Sequence, residues 1–212
     1  MAKELEQRFF DCSLETREEG EFGVVDGRPI VYNQTADIGP FDETILPGAL
    51  DNADLTDVRL CLNHDTSYVY ARSRRNNPNS TMRLSPDNNG MAIEANLNVA
   101  SSPKAQDLYS AIKRGDMDKM SFMFAVADDE WLDLDTDHPK RFIKSISKVV
   151  EVSCVTFPAY NTTDIQARSK EALDNARLSA MEIAKEQRAK EVETSQSQLM
   201  LEKAKFIFKS KI

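Results

Sequence analysis

Three residues on three predicted strands have the side chains that nucleophilic catalysis requires. Ser121 interrupts the apolar run KMSFMFAV, His64 lies near the end of VRLCLNHD, and Glu151 interrupts VVEVSCVTF. A serine hydroxyl becomes a nucleophile when a histidine takes its proton, and a carboxylate can orient that histidine and stabilise the imidazolium. The three residue types are therefore those of a serine-hydrolase triad.

Each of these residues also has a structural explanation. Alternation along its strand places Ser121 with Met123 and Ala125, away from the large aromatic residues, so we expect this face to be the more accessible one. A small serine is equally tolerated in a buried strand, and a histidine where an apolar face meets a turn often serves packing alone. Glu151 must either pair with a positive group or lie at an exposed strand edge, where a charge prevents aggregation.

The other chemistry-bearing residues predict no metal and no cofactor. The chain has two histidines, and His138 lies in the polar loop DTDHPKR, where we expect it to be solvated. Cys12, Cys61 and Cys154 form no CxxC pair and have no histidine at ligand spacing, so zinc is not expected. We expect these thiols to be reduced and mostly buried.

Charge and hydropathy exclude two classes of partner. The 212 residues carry a formal net charge of −8, whereas phosphate binding needs a basic surface, so nucleic acid is not expected as the main partner. No apolar run approaches the roughly 20 residues that a membrane span requires. The acidic N-terminus lacks the apolar core of a signal peptide, which predicts a protein that is cytosolic when synthesised.

The elements that would position the triad lie between residues 20 and 160. Seven segments have strand propensity and are separated by turn signals, which predicts a mainly β fold with helices (α+β), in the form of a closed or strongly curled β-barrel. These segments are RPIVYN, VRLCLNHD, TMRLS, MAIEANLNV, MSFMFAVADDEW, RFIKSIS and VVEVSCVTF. One helix, within SSPKAQDLYSAIKRG, leads into the Ser121 strand; it begins at a serine cap followed by proline and ends at Gly115.

The C-terminal part of the chain has a different composition. From residue 169 there is no Gly, Pro or Trp, and Ala, Glu, Lys, Gln and Arg dominate. This composition predicts a helix whose apolar stripe is too thin to bury much surface. We therefore predict a domain over residues 1–168 and a helical C-terminal tail over residues 169–212.

Five sequence blocks, in order, resemble the prohead serine proteases of tailed bacteriophages of the HK97 type. They are EFGVVDGRPIVYNQTADIGPFDETILPGAL, LCLNHD, MRLSPDNNGMAIEANL, AQDLYSAIKRGDMDKMSFMF and VVEVSCVTFPAYNTT, and they span about residues 20 to 163. The combination of NHD, MSF and EVS with PAY is the specific part of this resemblance. It implies a serine endopeptidase with a fold similar to that of the herpesvirus assembly proteases, a β-barrel surrounded by a few helices.

The resemblance also assigns roles to residues. The MSF serine, Ser121, is the nucleophile of the family and the NHD histidine, His64, is its base. Glu151 in the EVS strand is our choice for the third member; because the herpesvirus enzymes use a second histidine, His138 or Asp65 are the alternatives. Ser153, on the strand of Glu151, is expected to be a neutral control for Ser121.

The resemblance further implies partners and a location. The protein would cleave the scaffolding region from the major capsid protein, process itself and self-associate, inside the assembling prohead in the host cytoplasm. One alternative is a non-enzymatic capsid-assembly scaffold protein with a protease-like fold. The other is an unrelated β-barrel binding module, for which the order of the motifs would be a coincidence.

Overall fold

Residues 5–10, 14–156 and 163–209 are described by the structure, a computed structural model, and they form eleven strands and two helices. The elements are, in chain order, β1 (Glu6–Phe10), β2 (Glu15–Glu19), β3 (Phe22–Val31), β4 (Thr35–Asp37), β5 (Asp42–Ile45), β6 (Asp57–Leu62), β7 (Ala71–Arg74), β8 (Met82–Asp87), β9 (Gly90–Leu97), α1 (Pro103–Arg114), β10 (Lys119–Leu132), β11 (Lys140–Val155) and α2 (Thr163–Lys209). The chain divides into two compact units, Met1–Lys170 and Glu171–Ile212.

Each of the seven predicted strand segments overlaps a strand of the first unit, but several extend beyond it. In particular, β6 ends at Leu62, so His64 lies in the turn after the strand and not in the strand itself. The last two segments, RFIKSIS and VVEVSCVTF, are parts of the single strand β11, and residue 157 lies outside the described residues. Strands β1, β2, β4, β5 and β7 were not predicted. The mainly β, mixed α+β composition is therefore confirmed.

The predicted closed or strongly curled barrel, similar to that of the herpesvirus proteases, is wrong. The strands form two separate sheets: an antiparallel one in the order β2-β3-β9-β8, and a seven-stranded mixed one along β1-β10-β11-β5-β4 with β6 and β7 attached. A barrel needs every strand to have two neighbours, whereas each of these sheets ends in edge strands. Strand propensity identifies segments that form strands, but it does not predict which edges pair.

Strand β11 is the centre of the larger sheet and the reason that this sheet branches. One of its edges pairs antiparallel with β10 along most of its 16 residues. Its other edge is shared by two parallel neighbours, β5 beside residues 140–143 and β6 beside residues 151–154. The branch brings the end of β6, and the turn that follows it, next to Glu151.

Helix α1 confirms the sequence prediction. Ser102 caps its N-terminus by accepting the Ala105 N–H, and Gly115 ends it with a left-handed φ of 79°. Its buried face includes Leu108 and Ile112, and each such side chain contributes about 1.5–3 kcal/mol on burial. These residues join side chains of both sheets in one hydrophobic core.

Residues 169–209 of the predicted tail are helical, as part of α2, which begins earlier than predicted, at Thr163. Residues 210–212 lie outside the described residues. Of the side chains described in α2, Leu173 is buried, while Leu178, Met181 and Ile183 are exposed by 60%, 61% and 57%. Exposed apolar residues on a strongly polar helix agree with the thin stripe expected from the sequence. Among the helices described, none is long and apolar enough to cross a membrane.

Limited proteolysis is expected to remove the tail first. Because α2 carries exposed apolar side chains and a polar majority, it should open more readily than the strands of the core. A brief trypsin digest, followed by mass spectrometry, should leave a folded fragment that ends near residues 163 to 170. A tail that resists digestion and melts together with the core would contradict the division at residues 168/169.

Candidate active site

His64, Glu151 and Ser153 form one hydrogen-bonded network at the branch of the larger sheet. The His64 Nδ1 atom lies 2.5 Å from Glu151 Oε1. The Ser153 hydroxyl donates to the other carboxylate oxygen, Oε2, over 2.5 Å. Ser153 Oγ also accepts the backbone N–H of His64 over 3.1 Å. Both carboxylate oxygens therefore have partners, and the histidine is held through its ring and its backbone.

The turn after β6 places His64 against β11. Asn63 and His64 have φ angles of 50° and 62°, in the left-handed region that asparagine and histidine enter more readily than most residues. The Asn63 N–H donates to the Cys154 carbonyl, and the Asn63 side chain accepts the N–H of Thr156. These bonds attach the turn to the end of β11, so the histidine cannot move away from the carboxylate without breaking them.

Glu151 lies in the interior of the sheet. Its strand has neighbours on both edges, and the side chain is fully buried. The interpretation of Glu151 as an exposed charge at a strand edge is therefore wrong. The carboxylate has hydrogen-bond partners in His64 and Ser153, and its function in orienting the histidine stays a prediction. A buried carboxylate that accepts two hydrogen bonds is rigid, which suits a group that must orient an imidazole.

The second ring nitrogen of His64 is the chemically notable atom. Nε2 is buried and has no hydrogen-bond partner in the described structure. In the tautomer that donates its Nδ1 hydrogen to the Glu151 carboxylate, Nε2 carries a lone pair. A buried polar atom without a partner costs free energy, and such atoms are typical of sites that await a substrate or a proton. An imidazole held in this way can act as a general base.

Ser121 lies one strand away from this pair. Its Cα pairs across the β10–β11 ladder with that of Ser153, and side chains opposite each other in such a ladder share a face. Its hydroxyl does not bond to His64, however. Instead Ser121 Oγ donates to the backbone carbonyl of Arg8 over 2.8 Å. The direct serine–histidine hydrogen bond of a resting triad is absent from this structure.

The expectation that Ser121 lies on an accessible face is wrong, because the residue is fully buried. Strand β1, which the sequence did not predict, contacts the Ser121 hydroxyl through the Arg8 carbonyl. It pairs antiparallel with β10 and places the backbone of Phe9 opposite Ser121. Strand β10 is consequently an interior strand of the sheet at this point.

The two alternative third members lie elsewhere. His138 is exposed, as expected, and its Nε2 is within hydrogen-bond distance of Asp42 Oδ1, at 3.0 Å. Asp65 accepts the Ser67 N–H in its own turn. Asp37, Asp42 and His138 bring potential metal ligands within 4.8 Å of one another, a cluster that the sequence did not suggest. The hydrogen bond between His138 and Asp42 accounts for part of this cluster.

The Cys61 thiol is unreactive. Cys61 and Cys154 are buried as expected, whereas Cys12 lies outside the described residues. Burial, and to a lesser extent the charge of Glu151, raises the pKa of Cys61 to about 11. This thiol therefore stays protonated near neutral pH and does not compete with a serine as nucleophile.

The contacts of Ser153 with His64 and Glu151 were not predicted from the sequence. The position of Ser153 two residues after Glu151 put both on one strand face, but nothing in the pattern indicated that it would bond to both partners. The position of the Arg8 carbonyl had no sequence signal at all.

Comparison with known proteins agrees with the sequence motifs. Residues 11–177 match the model of a family described as caudovirus prohead serine protease. The chain is 29% identical over 162 residues to the prohead protease of Enterobacteria phage HK97, an alignment that covers 75% of this chain and 66% of that protein. The chain thus spans slightly less than two thirds of that relative. No solved structure matches the chain.

Proposed function

Because the chain belongs to the caudovirus prohead serine protease family, whose model matches residues 11–177, we propose that it is a serine endopeptidase of the assembling prohead. The family predicted from the motifs is confirmed, and the alternative of an unrelated binding module is thereby removed. The roles of individual residues and the substrate are parts of the proposal.

One observation supports the proposal most directly: the imidazole of His64 is oriented by a buried carboxylate and keeps a free, buried Nε2. A histidine that served only packing would gain nothing from an ionic partner on one nitrogen and an unsatisfied nitrogen on the other, because both features cost desolvation free energy. A general base needs both of them.

The proposed reaction uses Ser121 as nucleophile. Its hydroxyl leaves the Arg8 carbonyl, turns toward His64 Nε2 and attacks the peptide carbonyl while Nε2 takes the proton. The resulting imidazolium is stabilised by Glu151 and then gives the proton to the leaving amine, which produces an acyl-enzyme. Water, deprotonated by the same nitrogen, releases the acid product and restores the serine. Ser153 keeps the carboxylate in place throughout.

The proposed substrates follow from the family. The protein would cleave the scaffolding region from the major capsid protein inside the prohead, in the host cytoplasm, and would also process itself in a self-associated form. No metal or cofactor has a step in this reaction. The alternative remains a non-enzymatic capsid-assembly scaffold with a protease-like fold. One observation favours that alternative, namely that Ser121 is buried and bonded to Arg8.

Coexpression with the major capsid protein tests the proposal. Intact mass measurement should show a capsid protein shortened by its scaffolding region when the wild type is present. The two histidines of the chain supply a variant and its matched control. The His64→Ala variant should leave the precursor at full length, whereas the His138→Ala variant should still cleave it. A precursor of full mass with the wild type, together with no reaction of Ser121 with a fluorophosphonate probe, would favour the scaffold.

A further inference from the structure

Strand β1 lies where a substrate chain would have to bind. It runs antiparallel to β10 over residues 6–10 and forms the outer edge of the larger sheet beside Ser121. The hydroxyl of Ser121 is bonded to a backbone carbonyl of β1, that of Arg8. A peptide carbonyl beside the nucleophile is the arrangement that an extended substrate must reach.

The pairing of β1 is anchored by buried charges. Arg8 binds both oxygens of Glu43, with Nε 2.5 Å from Oε1 and Nη2 2.9 Å from Oε2, and Arg141 also binds Glu43 over 3.0 Å. Glu6 bonds to both arginines over 2.6 Å. Glu6 and Arg8 belong to β1, whereas Glu43 belongs to β5 and Arg141 to β11. These ion pairs therefore hold β1 against the sheet.

The side chains of this network are charged and strongly coupled. Burial opposes the charged forms of Arg8 and Arg141, but the nearby carboxylates, chiefly that of Glu43, raise the pKa of both guanidinium groups. The same two arginines lower the pKa of Glu6 against the effect of burial. When Arg8 is removed, Glu43 keeps Arg141 as a partner. The anchor of β1 can therefore be weakened without leaving the sheet with an isolated charge.

We infer that the edge of β10 that pairs with β1, beside Ser121, is the binding surface for the substrate, an extended peptide that adds as an antiparallel strand. Strand β1 occupies this surface until a substrate replaces it. The inference rests on the proposed function. Strand addition at a free sheet edge is a common mode of peptide recognition, because main-chain hydrogen bonds supply affinity at any sequence. It also explains how a buried nucleophile becomes available: departure of β1 frees the Ser121 hydroxyl and makes β10 an edge strand.

A reversible crosslink tests whether β1 must leave. Gln7 and Met123 are directly opposite in the ladder, at a spacing that suits a disulfide, so Gln7→Cys with Met123→Cys should join β1 to β10. The experiment uses the full chain with Cys12→Ser, to prevent other pairings. The oxidised protein should react with a fluorophosphonate probe at least about tenfold more slowly than the same sample after reduction. Met123→Cys alone, with and without reductant, is the control.

A gain of reactivity supplies the second test. Arg8→Leu removes the main anchor of β1 and should speed the labelling of Ser121 several-fold. Arg17→Leu is the matched control, because Arg17 makes exposed ion pairs within the other sheet, and it should leave the rate unchanged. An increase of rate cannot arise from misfolding, so it supports displacement of β1.

The outcomes separate this inference from the proposed function. Equal labelling of the oxidised and reduced proteins, or no acceleration in Arg8→Leu, would overturn the role of β1 while leaving the protease intact. Labelling that persists in Ser121→Ala would instead overturn Ser121 as nucleophile, and the inference with it. Slower labelling on oxidation, recovery on reduction and faster labelling in Arg8→Leu support it.

Discussion

Replacing Ser121 with alanine is expected to lower peptide cleavage by about four to six orders of magnitude, because members of a triad act as a unit and alanine cannot form the acyl-enzyme. The fold should survive. The substitution removes one oxygen and one buried hydrogen bond, to the Arg8 carbonyl, which is worth about 1 kcal/mol. Coexpressed capsid precursor should keep its full mass, while thermal unfolding by circular dichroism should show a small shift.

A suitable control for this substitution is Ser147→Ala. Ser147 lies on β11 and, like Ser121, donates its hydroxyl to a backbone carbonyl of a neighbouring strand. The acceptor is the Ala125 carbonyl of β10, at 3.0 Å. Ser147 makes none of the contacts of the His64 network, so cleavage should stay near the wild-type rate. Ser153, chosen from the sequence as a neutral control, is unsuitable because it bonds to Glu151. If Ser121→Ala still processed the precursor and Ser153→Ala did not, Ser153 would be the nucleophile.

Replacing Glu151 with glutamine should reduce turnover by about 10² to 10⁴. The amide is nearly the same size but has no charge to stabilise the imidazolium of His64. The amide also has only one acceptor oxygen, whereas the carboxylate has two, one bonded to His64 and the other to Ser153. One of these partners must face the NH₂ group, which should also cost about 1–3 kcal/mol of stability.

Steady-state cleavage of a peptide, combined with thermal unfolding of the same variant, measures both effects. Glu130→Gln, an exposed carboxylate on the neighbouring strand β10, is the control and should change neither quantity. Wild-type turnover in Glu151→Gln would show that the carboxylate serves the fold alone. In that event His138→Ala and Asp65→Asn would become the informative variants, although neither residue bonds to His64 here.

The local features of this protein could be predicted from its sequence because they depend on neighbouring residues. The cap at Ser102 and the glycine at residue 115 define helix α1. Each core segment that was predicted as a strand overlaps a strand of the structure. Composition alone predicted the helix of the tail. Motif order predicted the family, and with it the residues Ser121, His64 and Glu151 as candidates.

Tertiary structure decided how these elements meet. The contact of His64 with Glu151 joins residues 87 positions apart, and the contact of Ser121 with Arg8 joins residues 113 positions apart. Alternation within a strand determines which side chains share a face, but pairing depends on which edges of other strands are free, and that is a property of the whole fold. For this reason the sequence could propose a serine, a histidine and a carboxylate. Only the branched sheet brought His64 into direct contact with Glu151, with Ser153 bonded to both, and paired β1 with the strand of Ser121.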